Sequence, residues 1–197
     1  MADPTRTAGI TALVAGVAFA ALDLGRLPIA YADDRVAALL DPVLRTLNAA
    51  YFFGFCGLVL ALVALYPLHA AVTGTFGRIA FGAAIVGTMT MAGDMWFDGF
   101  AAPWLAEVAP AAFTVGSTTI LEIGALLSYG LCALGWVLFG SSMITARTFP
   151  VPLGIAVLVC GIVAFRSSFP PYGVPLGLAV AATGLWALRA ARRPVPV

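Results

Sequence analysis

The chain is 197 residues long, 62% hydrophobic and only 10% charged, with a formal net charge of +1. Soluble domains carry about 25% charged residues, so a fold of this size in water would have more apolar surface than it can hide, and its solvent must be lipid. No nucleic-acid partner is expected, because the net charge is only +1 and no basic patch is interleaved with aromatics.

Cys56, Cys132 and Cys160 stand singly in apolar runs and form no CxxC, so they read as small core residues. The single histidine, His69, excludes a bis-histidine haem held by this chain alone and argues against a multi-histidine metal site. No cofactor and no metal are expected.

The first predicted element covers Pro4–Leu24. Arg6 followed by an apolar run with Ala-Phe-Ala inside it looks like a signal peptide, but the segment is read as a first spanning helix. Asp3-Pro4 opens it, and Asp41-Pro42 opens the second span, Pro42–Tyr66. In both, Asp caps free amides while Pro takes the first helical position. Between them, Val36, Leu39, Leu40, Val43 and Leu44 fall at helical spacing, which predicts a short interfacial helix near 33–41. His69, at the inner end of the second span, reads as an interfacial residue.

The third span is placed at Phe76–Phe100, with Pro103-Trp104 ending it, and the fourth at Ile120–Met143. Thr119-Ile-Leu-Glu122 has capping-box spacing, with Glu122 reaching back to the cap amide. The fifth, Val151–Phe165, measures roughly 24 Å, short of the ~30 Å hydrocarbon core. The sixth is Tyr172–Ala190. Phe-Pro-Val-Pro at 149–152 and Phe-Pro-Pro-Tyr at 169–172 are breaks. The expected fold is thus an all-α, polytopic integral membrane helix bundle of about six transmembrane helices in one domain, 1–197, with no internal repeat.

A cytoplasmic N-terminus places Arg6, Arg78, Arg147, Arg189, Arg192 and Arg193 inside, and Arg26, Arg35, Arg45 and Arg166 outside. The excess favours N- and C-termini in the cytoplasm of a multi-pass cell-membrane protein.

With Arg78 at the inner edge, Asp94 lies about 24 Å along the third helix and Asp98 about 30 Å. Asp98 is then a boundary residue and Asp94 a turn deeper. The two share a face that Thr90 continues inward, with Phe97 beside it, while Trp96 and Phe100 point away as an aromatic belt. An ionisable group inside hydrocarbon costs several kcal/mol unless paired, protonated or hydrated, so Asp94 is the leading candidate acid. Asp98 and Glu122 are its candidate assistants. Asn48, Tyr51, Phe52, Phe55 and Tyr129 reach the same level and, with Thr90 and Phe97, are candidate ligand-binding residues.

Each has a plainer reading. Glu122 serves as a cap, Asp98 is solvated, and the Tyr51–Phe55 stripe is packing. Asp23 pairs with Arg26 one turn on, near water. Ala8, Ala12, Gly16 and Ala20 line one helix face, which suggests close packing.

The run AGDMWFDGFAAPWLAEVAP, a Trp136-containing span and Pro-Pro-Tyr-Gly at 170–173 together resemble small bacterial multi-span membrane proteins described only as domains of unknown function. That resemblance implies no activity and assigns no residue. The acid-plus-aromatic composition is also similar to that of small integral-membrane terpene cyclases, with no motif residue matched and no role carried over.

GxSxG, HExxH, Walker and GxGxxG signatures are absent. The favoured function is a non-catalytic accessory, sensing or ligand-binding role, with the bilayer and a lipophilic small molecule as partners. The first alternative is a membrane enzyme on a lipid or isoprenoid-like substrate, with Asp94 as proton donor and aromatic rings stabilising positive charge. The second is a small proton- or ion-coupled transporter.

Overall fold

The structure is a computed structural model that describes residues 3–113, 115 and 118–192. Arg193, one of the inner arginines in the orientation count, lies outside these residues. Among the described residues the fold is all helical, without strands. Nine α-helices run α1 (Pro4–Gly25), α2 (Leu27–Ala30), α3 (Arg35–Leu40), α4 (Pro42–Leu65), α5 (Ala70–Trp96), α6 (Ala102–Val108), α7 (Thr119–Ala146), α8 (Val151–Val163) and α9 (Val174–Ala191).

Both Asp-Pro starts are capped. Asp3 accepts from Thr5 N at 2.9 Å, and Asp41 accepts from Val43 N and Leu44 N, each at 2.9 Å. Asp34 likewise caps α3 through Ala37 N at 3.0 Å. Leu39 on α3 is buried against Ala102 and Ala106 of α6, so the short helix near 33–41 lies across the end of the bundle.

Among the described residues, five segments are long and apolar enough to cross a membrane: Pro4–Gly25, Pro42–Leu68, Ala70–Val108, Thr119–Ala146 and Val174–Ala191. Val151–Arg166 is apolar but shorter. Large side chains left on the outside of these helices are apolar, among them Val14, Phe53, Leu60, Ile79 and Leu134. This pattern is compatible with a lipid solvent, which imposes no penalty on exposed hydrocarbon.

The long helices form a closed ring in chain order: α1 packs on α4, α4 on α5, α5 on α7, α7 on α8, α8 on α9, and α9 back on α1. Small residues permit the close approaches. A Cβ added at Gly177 would sit 2.7 Å from the Gly16 carbonyl oxygen, and one at Gly135 would sit 2.6 Å from that of Ala83. The face formed by Ala8, Ala12, Gly16 and Ala20 is buried. Inside the ring, Phe19, Tyr51, Phe55, Leu58, Met91 and Trp136 form the core.

Several expectations are corrected. Pro103 does not end the third span: after Trp96 the chain makes a π-helical turn over Phe97–Ala101 and continues as α6. At its start, Gly74 adopts φ +56° inside α5, a left-handed break open to glycine, so the straight helix begins beyond it. The cap of α7 is Thr118, whose Oγ1 accepts from Leu121 N at 3.4 Å; Thr119 is already helical. Glu122 therefore does not occupy the capping-box position.

His69 is 1% exposed and enclosed by Tyr66, Phe139 and Phe149, with Nε2 3.4 Å from Ser142 Oγ. It is a core residue at one end of the bundle, and burial pushes its imidazole below the ordinary histidine value.

Candidate functional site

The opposite end of the bundle, around Asp98, gathers the polar residues. The π turn is the first device. In that wider register the Ala102 amide bonds back to the Phe97 carbonyl, and Pro103, which would follow for Asp98, has no N–H. The Asp98 carbonyl is thereby released, and Asn48 Nδ2 of α4 donates to it at 2.6 Å. Gly99 lets α4 come this close, since a Cβ there would lie 2.7 Å from Ala49 Cα.

Arg26 is the second device. It follows the last turn of α1 and is 4% exposed. Its Nε donates to Asn48 Oδ1 at 2.7 Å and one Nη to the Ser168 carbonyl at 3.3 Å, and the guanidinium lies 4.2 Å from the Tyr51 ring centre. Asn48 thus couples α1, α4 and the π turn with one side-chain amide.

The segment after α8 folds inward as a third device. Tyr51 Oη donates to the Ser167 carbonyl at 2.7 Å. Asp23 Oδ2 accepts from Gly173 N at 2.8 Å and Val174 N at 3.0 Å, which caps α9 from another helix. Asp23 is wholly buried and has no ion pair with Arg26 within 4 Å, contrary to the solvated i, i+3 pair expected.

These supports frame a cleft of about 530 Å³ between α5 and α7. Asp94, Asp98, Phe97, Glu122 and Tyr129 all line it, joined by Arg35, Ser168, Phe169 and apolar residues of α7. Asp94 and Asp98 are half-buried, one turn apart on the same wall, with Tyr129 of α7 on the facing wall. Arg35 reaches Asp98 at 3.9 Å, a loose ion pair. Among the described residues, no group of three His, Cys, Asp or Glu is arranged to hold a metal ion.

The remaining candidates lie elsewhere. Tyr51 and Phe55 are fully buried and packed with Phe19 at ring separations of 4.8–5.1 Å. Phe52 lines a separate apolar groove with Cys56, Met89 and Trp96. Thr90 bonds the Gly87 carbonyl at 2.9 Å and is absent from the cleft wall. Asn48 lines a smaller neighbouring cavity.

Sequence reasoning did not single out Arg26, Arg35, Ser168 or Phe169 for the site. Only Arg26 carried a signal, as a charge just beyond an apolar span, and its burial depends on a turn 142 residues away.

No family model, curated protein or solved structure matches this chain. The site is therefore read from its own chemistry. Two carboxylates four residues apart, set against Phe97, Tyr129 and Phe169, suit a positively charged group: the acids supply charge and the rings supply their negative faces.

Proposed function

We propose that the protein is a membrane-embedded binding protein, accessory or sensing in role, whose cleft between α5 and α7 receives a lipophilic ligand with a cationic head. The observation that carries this reading is the shared wall of Asp94, Asp98, Phe97 and Tyr129 in one cleft. Its volume, about 530 Å³, falls within the roughly 300–1,000 Å³ of ordinary ligand sites. The two acids repel each other in a poorly solvated setting, so a cation between them relieves an existing cost. Leu121 and Leu126 extend the wall as hydrocarbon for the ligand's tail.

In this reading the chain is a six-span protein with both termini in the cytoplasm, and the cleft faces the outer leaflet. The arginine distribution and the collection of Asp23, Asn48, Asp98 and Tyr129 at one end support that placement. The transport alternative has less support: toward the His69 end, α5 is packed through Met91, Thr88 and Ala84 into the core, and Thr88 is engaged by Trp136. The catalytic alternative, with Asp94 as acid, asks for a water-excluding chamber, whereas Leu121 and Glu122 on the cleft wall are exposed.

The test is binding of hexadecylamine, with uncharged hexadecanol as control, to protein in neutral detergent, read by native mass spectrometry. The amine is expected to bind saturably and in preference to the alcohol. Asp94→Asn and Asp98→Asn should each weaken it by about tenfold, the equivalent of losing ~1.4 kcal/mol. Equal retention of amine and alcohol, or variants that bind as the parent does, would refute the reading.

A further inference from the structure

The acidic cleft has a neighbour of the opposite character. A cavity of about 150 Å³ lies beside it, lined by Arg26, Arg35, Asn48 and apolar residues of the α1–α3 connection. Arg35, Asp98, Ser168 and Phe169 belong to the walls of both spaces. The two therefore meet at the Arg35–Asp98 contact, acids on one side and arginines on the other. A space of 150 Å³ accommodates a group the size of benzene, and phosphate and carboxylate are no larger.

Arg26 gives the smaller cavity its meaning. It is 96% buried by its 4% exposure, yet no carboxylate lies within 4 Å of it. Two of its N–H groups are used, one on Asn48 and one on the Ser168 carbonyl. The others make no hydrogen bond among the described residues, although guanidinium presents five donors in a fork that fits an oxyanion. Asp23, Asp94 and Asp98 act on it only from beyond 4 Å, so the guanidinium keeps donors for a closer anion. Independently, Ser168 is 8% exposed and its Oγ has no partner in hydrogen-bond geometry, while the residue lines both spaces. Its hydroxyl, with only Tyr129 acting on it among the described residues, can turn to an oxyanion in the space that Ser168 lines with Arg26 and Arg35.

The Arg35–Asp98 pair sits at 3.9 Å, well beyond the roughly 2.7–2.9 Å of a closed charge-assisted hydrogen bond. Arg35 is largely exposed, with its guanidinium 5.9 Å from the Phe113 ring centre. A ligand carrying both charges would replace this loose pair by two better ones, with Arg35 turning to the anion and Asp98 to the cation.

Resting on the binding function proposed above, we infer that the ligand is zwitterionic: its ammonium lies between Asp94 and Asp98 and its phosphate against Arg26, Arg35 and Ser168. That is the head-group chemistry of an amine-bearing phospholipid, shared by its chain-free phosphodiester.

The experiment compares dioleoylphosphatidylethanolamine, dioleoylphosphatidylglycerol and hexadecylamine on the full chain in neutral detergent, by native mass spectrometry. The ethanolamine lipid is expected to bind at least tenfold more tightly than either of the others. Arg35→Gln, at an exposed position and with an unchanged melting curve as its control, should abolish its advantage over the amine. Ser168→Ala should reduce that advantage, and Asp94→Asn should abolish its advantage over the glycerol lipid. Chain-free glycerophosphoethanolamine then distinguishes the sources. Competition at low millimolar concentration supports the head-group assignment with a free solute as ligand; its failure to compete while the lipid binds supports the assignment with the membrane lipid as ligand.

If the amine binds as tightly as the ethanolamine lipid and Arg35→Gln changes nothing, the anion subsite is overturned and the cation-binding function stands. Tighter binding of the glycerol lipid than the ethanolamine lipid also overturns the inference. If neither amine nor ethanolamine lipid binds, the parent reading fails and takes this one with it.

Discussion

Asp23, in the last turn of α1, places one carboxylate oxygen 2.8 Å from the amide of Gly173, 150 residues later in the chain. It performs for α9 the task that Asp3 and Asp41 perform for their own helices. The difference is that this cap also closes the ring between the first and last long helices.

Asp23→Ala is therefore expected to destabilise the protein by about 1–2 kcal/mol, the usual worth of a helix cap. Asp23→Asn retains an acceptor oxygen and should lose less. Thermal unfolding in detergent, followed by circular dichroism, checks the order parent, Asn, Ala. An Ala variant as stable as the parent would remove the cap from the account.

Gly16 tests the seam between α1 and α9. A Cβ there would strike the Gly177 carbonyl oxygen and lie 2.5 Å from Ala181 N, so Gly16→Leu forces the helices apart. A loss of at least about 1–3 kcal/mol is expected, as in other overpacked cores. Gly82 has no atom near its added Cβ, and Gly82→Ala should be neutral or stabilising by up to about 1 kcal/mol. The two melting curves side by side separate a packing requirement from a general intolerance of glycine replacement.

In the core, Trp136 Nε1 donates to Thr88 Oγ1 at 3.1 Å with both residues fully buried. Thr88→Val keeps the shape but strands the indole N–H, at a cost of about 1–3 kcal/mol. Thr88→Ser keeps the acceptor and should lose clearly less through this bond. Equal stability of the Val and Ser variants would show that the hydrogen bond contributes nothing.

His69 provides a pH prediction. Burial depresses its folded-state value below the ordinary 6.5, so on acidification the unfolded chain takes up the proton first. The stabilisation from a neutral, buried ring is complete above about pH 6.5 and is lost as pH falls toward the folded-state value. The parent's melting temperature should therefore drop more between pH 8 and pH 5.5 than that of His69→Phe, which cannot titrate. Parallel drops in the two proteins would contradict a buried, neutral His69.

Much of the fold was legible because its signals are local. Asp41-Pro42 caps and starts a helix within four residues, and long apolar runs mark helices long and apolar enough to cross a membrane. The spacing of Asp94 and Asp98 put both acids on one face, and Trp96 and Phe100 do point outward, half exposed. The π turn illustrates the limit. Pro103 read as a stop, and only the Asn48 amide from another helix explains how the chain continues past the released carbonyl.

By itself, the amino-acid sequence determined that the chain is helical with runs long and apolar enough to cross a membrane, where its long helices begin, and which acids share a helix face. Hydropathy, capping and 3.6-residue periodicity act within a few turns, so they can be read without neighbours. Tertiary structure alone decided the ring order, the burial of His69 and Arg26, and the meeting of acids and arginines around Ser168. Those depend on hydrogen bonds spanning up to 151 residues, such as Val174 N to Asp23, whose partners carry no mark in the sequence between them.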